Sequence, residues 1–481
     1  MLRRMRVREI APFTVAMLLG VSLGAGLHAA VAAPSGTTSV NTEPTTSTKP
    51  TDPTKAKPRP APVDYSRFRK LDIFARALTT IEQHYVRPVD GEQLIQSAIG
   101  GLVAQLDPHS EYLPPKEARL LREDIEGSFG GVGMVVIQKF ESEPEPRLVL
   151  DVREVIPGGP AARAGVRAGD LILAIEGKPI SHYVDLRRAI MVMRGDPGTK
   201  VSFTVEPKGQ TPRTVSVSRE VIDSPAVVST YLGDGIGHIR LRDFSETSAR
   251  ELEQALQSLR SSTVDRKLKG VVLDLRDNGG GLLDQAIAVV DLFVAKGPIV
   301  RTRGRMGSLL DESYARPGGP WNHVPLAVLV NKASASASEV VAGALQDHRR
   351  GLIVGERTYG KGSVQAPFDL GDGSVLKLTI ALYYTPADRL IQATGITPDV
   401  LAGKEGPLFV DSHPDLEPER AHPRHLQPEQ FGYSPVAEKG DLSKAVAAAG
   451  DDFQLQVAVE HLETIALMGG KASGKFRRRR D

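Results

Sequence analysis

The segment that most constrains this chain is the apolar run Leu326-Ala327-Val328-Leu329-Val330, which passes directly into Asn331-Lys332-Ala333-Ser334-Ala335-Ser336-Ala337-Ser338-Glu339. A short continuous apolar run reads as a strand covered on both faces, and the small residues after it open a helix. Strand, turn and helix in that order are the unit of an α/β layer. The same segment offers several hydroxyls, and Gly360-Lys361-Gly362-Ser363-Val364-Gln365 follows downstream. A serine attacks a carbonyl only when a base takes its proton, and a desolvated lysine can serve. On residue type alone Ser334, Ser336, Ser338 and Ser363 are all candidates.

The lysine must be buried to be useful. An exposed one titrates near about 10.4 and stays protonated at neutrality. Lowering that by about three units corresponds to roughly 4 kcal/mol of lost charge solvation. Glycines on both sides of Lys361 suit a tight turn that buries the amine. Lys332 is a rival base because it lies near the serines in sequence. A histidine base is a third reading, since the chain has 11 histidines and His348 is not far away. Asp274 and Asp399 could then be misread as its acid.

Other alternating strands and helices extend the layer. Ile236 to Leu241 and Gly270 to Leu275 read as strands, and Ser245 to Leu259 and Leu282 to Phe293 as helices. Val364 to Leu370 and Ser374 to Tyr383, joined by Gly371-Asp372-Gly373, read as a hairpin. Earlier, residues 126–208 carry short β runs (Val152 to Ile156, Leu171 to Ile175, Lys200 to Val205) separated by Pro, Gly and Asp turns, with a helix over Asp185 to Met193. Helical spacing also marks the stretches from Tyr65 and from Gly91 to Leu106. From Val215 the pattern becomes alternating strands and helices.

With 481 residues, 41% of them hydrophobic, the chain has room for more than one domain. A net charge of +2 gives no reason to expect a nucleic-acid partner, and the absence of cysteine rules out a thiol nucleophile or disulfide. No histidine cluster has metal-ligand spacing, so neither metal nor other cofactor is expected. Arg3, Arg4, Arg6 and Arg8 precede an apolar stretch from Ala11 to Leu27, with Ala30-Val31-Ala32 beyond. That order reads as a secretory signal or, uncleaved, as a tether to the inner membrane; either sends the chain out of the cytoplasm, to a periplasmic or other extracytoplasmic place. Residues 34–64 are a Pro/Thr-rich linker. After about Gly403 the chain is polar until an apolar helical stretch from Phe453.

Several blocks together carry a resemblance. Leu329-Val330-Asn331 through Glu339, Ala342 to Asp347, Gly355-Glu356 and Gly360 to Gln365 resemble the carboxy-terminal processing, or tail-specific, proteases. Asp274-Leu275-Arg276-Asp277-Asn278-Gly279-Gly280-Gly281-Leu282 and Gly395-Ile396-Thr397-Pro398-Asp399 match further blocks. The match runs in order from about residue 66 to 402. Gly165-Val166-Arg167-Ala168-Gly169-Asp170-Leu171-Ile172-Leu173-Ala174-Ile175 resembles a PDZ domain.

The resemblance implies an α/β fold: a Ser/Lys protease core of mixed sheet and helices (residues 209–402), an inserted mainly-β PDZ domain (126–208) and a helical N-terminal part (65–125). Residues 1–33 are the signal or anchor, and 403–481 are a polar extension with a terminal helix. The family motif puts the nucleophile three residues before a glutamate and 25 before the lysine, which selects Ser336 relative to Glu339 and Lys361. Ser338 is then free to act as a helix N-cap. Gln365 takes the place of the residue that orients the lysine without adding charge, and Glu339 supports the site.

The oxyanion of an acyl-transfer intermediate needs preorganised donors. The Ala337 N–H is the natural first one, and Gly280 is carried over as the second, with Gly279 and Gly281 as alternatives. In the PDZ domain, Gly131, Val132, Gly133 and Met134 would receive a peptide carboxylate. The expected partners are protein substrates held by their C-terminal tails; an adaptor or activator protein and a homo-oligomer are compatible with the family. The rival class is an inactive peptide-binding scaffold.

Overall fold

The structure, a computed structural model, describes residues 66–126, 128–141, 146–183, 186–223, 225–403, 416–433 and 452–472. The expected signal or anchor and the linker lie outside the described residues. The described residues contain no helix long and apolar enough to cross a membrane.

The chain divides into two compact units, one of them holding the described residues up to Gly101. In it lie helix α1 (Ser66–His84) and most of α2 (Gly91–Val103). Leu71, Ile73 and Phe74 of α1 are exposed.

The other unit begins with β1 (Glu111–Leu113) and α3 (Pro115–Glu126). An inserted domain follows: β2 (Ser128–Gly131), β3 (Met134–Glu141), β4 (Arg147–Val155), α4 (Pro160–Arg163), β5 (Leu171–Ile175), β6 (Lys178–Pro179), α5 (Leu186–Met193), β7 (Lys200–Glu206), β8 (Arg213–Ser218) and β9 (Glu220–Asp223). The chain then forms β10 (Val227–Gly233), β11 (Ile236–Leu241), α6 (Ser248–Ser262), β12 (Gly270–Asp274), α7 (Leu283–Phe293), β13 (Gly297–Arg303), β14 (Leu309–Ala315) and β15 (Leu326–Val330). Last come α8 (Ala337–Asp347), β16 (Leu352–Gly355), β17 (Ser363–Asp369), β18 (Val375–Tyr384), β19 (Val400–Leu401) and α9 (Phe453–Ala472).

The insertion is visible in the pairing. Strand β1, before the inserted domain, joins β18 of the later sheet, while β2 and β9 pair and bring the entry and exit of the insert together. The inserted sheet runs β3-β4-β5-β7-β8, with β6 on β5. Its core contains Leu150, Val152, Ile172, Phe203 and, from α5, Ala189 and Met193. Val215 and Val217 of β8 belong to the same core. The insert therefore extends past residue 208, and the α/β pattern starts later than its sequence suggests: β8 alternates apolar and polar just as a strand of the next domain would.

The part of this unit outside the insert holds a six-stranded sheet in the order β10-β11-β12-β15-β16-β19, parallel except for β10. Alternate residues of the buried strands face two different cores. Val271, Leu273, Val328 and Val330 pack with α6, α7 and α8. Val272, Ala327, Leu329 and Val354 pack with Phe453, Ala458 and Leu462 of α9. Double coverage is why these strands read as unbroken apolar runs.

The terminal helix is thus one layer of the core rather than part of an extension. Its start is clamped electrostatically: Arg276 Nη1 and Nη2 lie 2.7 and 2.8 Å from the Asp452 carboxylate, and Nη2 lies 2.6 Å from Asp274 Oδ2. Burial alone would raise the Asp274 carboxyl, but His238 and Arg276 hold it well below the usual range. A second, smaller sheet orders β1-β18-β13-β14, with β17 paired to β18 as the expected hairpin.

Candidate active site

Neighbouring parallel strands carry two loops to one end of the sheet. The turn after β12 holds Asn278 and Gly280, and the turn after β15 holds Ser336, so the two meet at the carboxyl ends of adjacent strands. They are stitched together. Asn278 O accepts the Ala335 N–H at 3.0 Å and the Ser338 hydroxyl at 2.9 Å. Ser334 Oγ donates to Leu275 O at 2.8 Å and accepts the Asn331 N–H at 3.0 Å. Ser338 is therefore a strut between the turns and not the cap expected of it; Ser336 holds the N-cap position of α8.

Ser336 is buried and adopts φ +55° and ψ −114°, a conformation that L residues avoid. Such backbone persists where the surroundings over-determine it. Here the determinant is Glu339, at the third helical position, whose carboxylate accepts the Ser336 N–H at 2.8 Å. The same carboxylate accepts the Lys361 N–H at 2.8 Å, the Gly360 N–H at 2.7 Å and the Thr358 hydroxyl at 2.6 Å. One wholly buried side chain thus ties the serine turn to the lysine turn. Burial pushes its carboxyl up to about 7 against those four donors. Glu339, expected to support the site, is thus the residue that joins the two turns.

Lys361 is buried, and its Nζ makes no hydrogen bond or ion pair among the described residues. Burial lowers its pKa from the usual lysine value, against the raising effects of Glu419, Glu111, Glu339 and Asp107. The turn can bury the amine because Gly362 lies against Gln392: a Cβ there would stand 2.1 Å from the Gln392 nitrogen. Ser336 Oγ and Lys361 Nζ share no direct hydrogen bond among the described residues; Glu339 links their backbones.

Other candidates fall differently. Gln365 is buried on β17, but its Nε2 donates to Ser363 Oγ at 2.9 Å and Thr379 Oγ1 at 3.1 Å, and not to anything on Lys361. An amide donor turns to the hydroxyls within reach. Ala337 N–H opens α8 and has no acceptor among the described residues, so it is available, at a helix start, to developing negative charge. Gly280 packs beside it; a Cβ at Gly280 would be 2.8 Å from Ser336 Cβ. Its N–H, however, is taken by Asn278 Oδ1 at 2.9 Å, so in this state it is not a free second donor. Gly279 and Gly281 N–H have no acceptor among the described residues.

His348 caps the far end of α8, about 18 Å along the helix from Ser336, with Nε2 2.7 Å from Pro298 O. Asp399 accepts the Ile353 N–H and Gln346 Nε2, both at 2.9 Å. Asp274 is engaged by Arg276 and His238. None of the three is placed for a Ser/His/Asp relay through Ser336.

The loop from Gly131 to Met134 also has its place. Val132 and Gly133 carbonyls accept the Ala161 and Ile156 N–H groups at 2.9 Å, while their own N–H groups have no acceptor among the described residues. Met134 opens β3, which forms one edge of the inserted sheet.

Comparison with known proteins agrees with this geometry. The profile of Peptidase family S41 matches residues 235–402, a PDZ domain profile matches 152–207, and that of the activating protease CtpB N-terminal domain matches 24–117. A carboxy-terminal-processing protease of Bartonella bacilliformis is 42% identical over 346 residues, spanning 72% of this chain and 77% of the relative. The chain belongs to the carboxy-terminal processing proteases of peptidase family S41. A carboxyl-terminal-processing protease of Picosynechococcus sp. is 40% identical over 69% of this S41 peptidase and 79% of the relative. The carboxy-terminal processing protease CtpA of Bacillus subtilis is 35% identical, over 70% and 69%. This S41 peptidase is accordingly a serine-type peptidase with a PDZ domain.

Reading the sequence missed part of the lysine's surroundings. Thr358, Gln392, His109 and Glu419 all contribute buried polar groups there. The signal for His109 was Asp107-Pro108-His109-Ser110, in which Asp107 accepts the N–H groups of both His109 and Ser110. Nothing local marks Glu419.

Proposed function

We propose that this chain is an exported serine endopeptidase that cleaves proteins after its PDZ domain has taken hold of their C-terminal tails. Ser336 is the nucleophile and Lys361 its general base. The observation that carries this reading is the shared Glu339 oxygen, 2.8 Å from both the Ser336 and the Lys361 backbone nitrogens, beside a buried lysine without an ion pair among the described residues. A lysine whose pKa burial lowers takes the Ser336 proton as Oγ attacks the scissile carbonyl. It returns that proton to the leaving amine, and water then releases the acyl group by the reverse sequence. The Ala337 N–H stabilises the oxyanion, and a second donor comes from the glycine turn after β12 once Gly280 is released from Asn278 or Gly279 or Gly281 takes its place.

Tail recognition is read from the free edge of β3 and the Val132 and Gly133 N–H groups, which suit strand addition and carboxylate capture. Export is read from the N-terminal residues, and an activating partner is in keeping with the N-terminal match. The deciding experiment is cleavage of an unstructured protein with an apolar C-terminus by the wild type, Ser336→Ala, Lys361→Ala and a form lacking the PDZ domain. Loss of cleavage in both point variants supports the dyad; activity in Lys361→Ala refutes it. Equal cleavage without the PDZ domain refutes tail recognition, and cell fractionation tests export.

A further inference from the structure

A buried polar cluster beside the lysine has no part in the chemistry just described. His109 lies in the turn before β1, with Nε2 2.7 Å from Glu419 Oε2. Its Nδ1 is buried without a hydrogen-bond partner. Glu419 is wholly buried, although it stands beyond the stretch matched by the peptidase profile. Its Oε1 accepts Gln392 Nε2 at 2.7 Å, and Gln392 Oε1 accepts the Gly362 N–H at 2.9 Å. The Glu419 N–H donates to Tyr359 O at 3.1 Å. A residue from near the end of the chain is therefore tied to both flanks of Lys361.

A buried carboxylate is costly unless its charge is compensated. The groups that act on Lys361 electrostatically are Glu419, Glu111, Glu339, Asp107 and His109. Glu111 pairs with Lys377. Asp107 accepts the His109 and Ser110 N–H groups and the Ser110 and Thr379 hydroxyls, and Glu339 accepts four donors. Among the described residues the Glu419 carboxylate bonds to His109 and Gln392, and of the carboxylates around Lys361 it raises the amine most. Burial first, and then the Lys361 charge, lower His109. A proton on one of these two bases thus disfavours a proton on the other, and Glu419 bonds to His109 while its charge acts on Lys361.

We propose that Glu419 is a positioning residue for Lys361, holding the lysine turn through Gln392 and Tyr359 and, together with His109, fixing how readily the amine releases its proton. The short stretch 416–433 is then a working part of the active centre. This rests on the Ser/Lys reading given above.

The test is the pH dependence of kcat/KM for the full chain on an unstructured protein with an apolar C-terminus. Wild type is compared with Glu419→Gln, His109→Gln and Lys361→Ala, with melting temperatures measured alongside. Glu419→Gln keeps the shape and removes the charge, so the acid limb moves to lower pH. His109→Gln replaces a ring whose protonation burial and the Lys361 charge already disfavour, so the limb moves less than in Glu419→Gln. A limb that stays in place in Glu419→Gln, whatever the loss of rate, overturns the proposal, because a merely structural role lowers rate without moving it. Activity that survives in Lys361→Ala overturns instead the dyad on which the proposal rests.

Discussion

Ser336 and Lys361 are joined through one atom: both backbone N–H groups donate to Glu339 Oε2, each at 2.8 Å. The serine's strained backbone and the lysine's turn are therefore set by the same carboxylate, and a change at Glu339 reaches both. Glu339→Ala removes the acceptor for four donors. We expect a loss of activity on the order of a hundredfold, comparable to removing a preorganised electrostatic group. Steady-state kinetics check it, with the melting temperature as control.

The Glu339 carboxyl also gives a signed pH effect. Its folded pKa, about 7, lies above its ordinary value, so the protonated form is favoured in the folded state. The associated stability is complete below the ordinary carboxylate range and is lost as pH rises through about 7. The full effect is roughly 3 kcal/mol. Wild-type melting temperature should fall between pH 5 and pH 8 by more than that of Glu339→Gln, which has no titrating group there. Parallel profiles would refute it.

Lys361 behaves with the opposite sign. Its pKa is lowered by burial, so kcat/KM should rise with pH through an ionisation below the usual lysine range. Lys361→Arg should be as inactive as Lys361→Ala, because a guanidinium stays protonated and cannot act as a base. A pH–rate profile of wild type and an activity assay of both variants decide this. An active arginine variant would exclude the amine as base.

The lysine turn depends on the missing side chain of Gly362. A Cβ there meets Gln392 backbone at 2.1 and 2.7 Å, and backbone cannot swing aside as a side chain does. Gly362→Ala should cost about 1–3 kcal/mol and abolish most activity by moving Lys361. Thermal melting and kinetics measure the two losses.

Helix α9 closes the second face of the main sheet. Phe453 and Leu462 are almost fully buried against Val272, Ala327 and Leu329. Phe453→Ala should cost about 3–5 kcal/mol, as read from denaturant unfolding. Ending the chain at residue 451 should leave an apolar sheet face exposed and yield aggregated protein. A soluble, fully active truncated form would show that α9 is dispensable.

Much of this protein was determined by its sequence alone. Unbroken apolar runs such as Leu326–Val330 require strands with both faces covered, and β15 is such a strand. Residue types alone left four serines open, and it was the motif of the resembling family that pointed to Ser336, Glu339 and Lys361; the first two lie one helical turn apart and the third sits in its own glycine turn. Local chemistry was readable where neighbours in sequence are neighbours in space. Only the tertiary structure decided the rest. Gln365 looked free to reach the lysine, but β17 turns it toward Ser363 and Thr379. Gly280 looked free to donate, but Asn278 claims its N–H. His109 and Glu419 meet across 310 positions, and α9 returns from the polar end to cover β12 and β15. A buried charge finds its partner by position in the folded molecule, and no local pattern encodes a contact formed over such a separation.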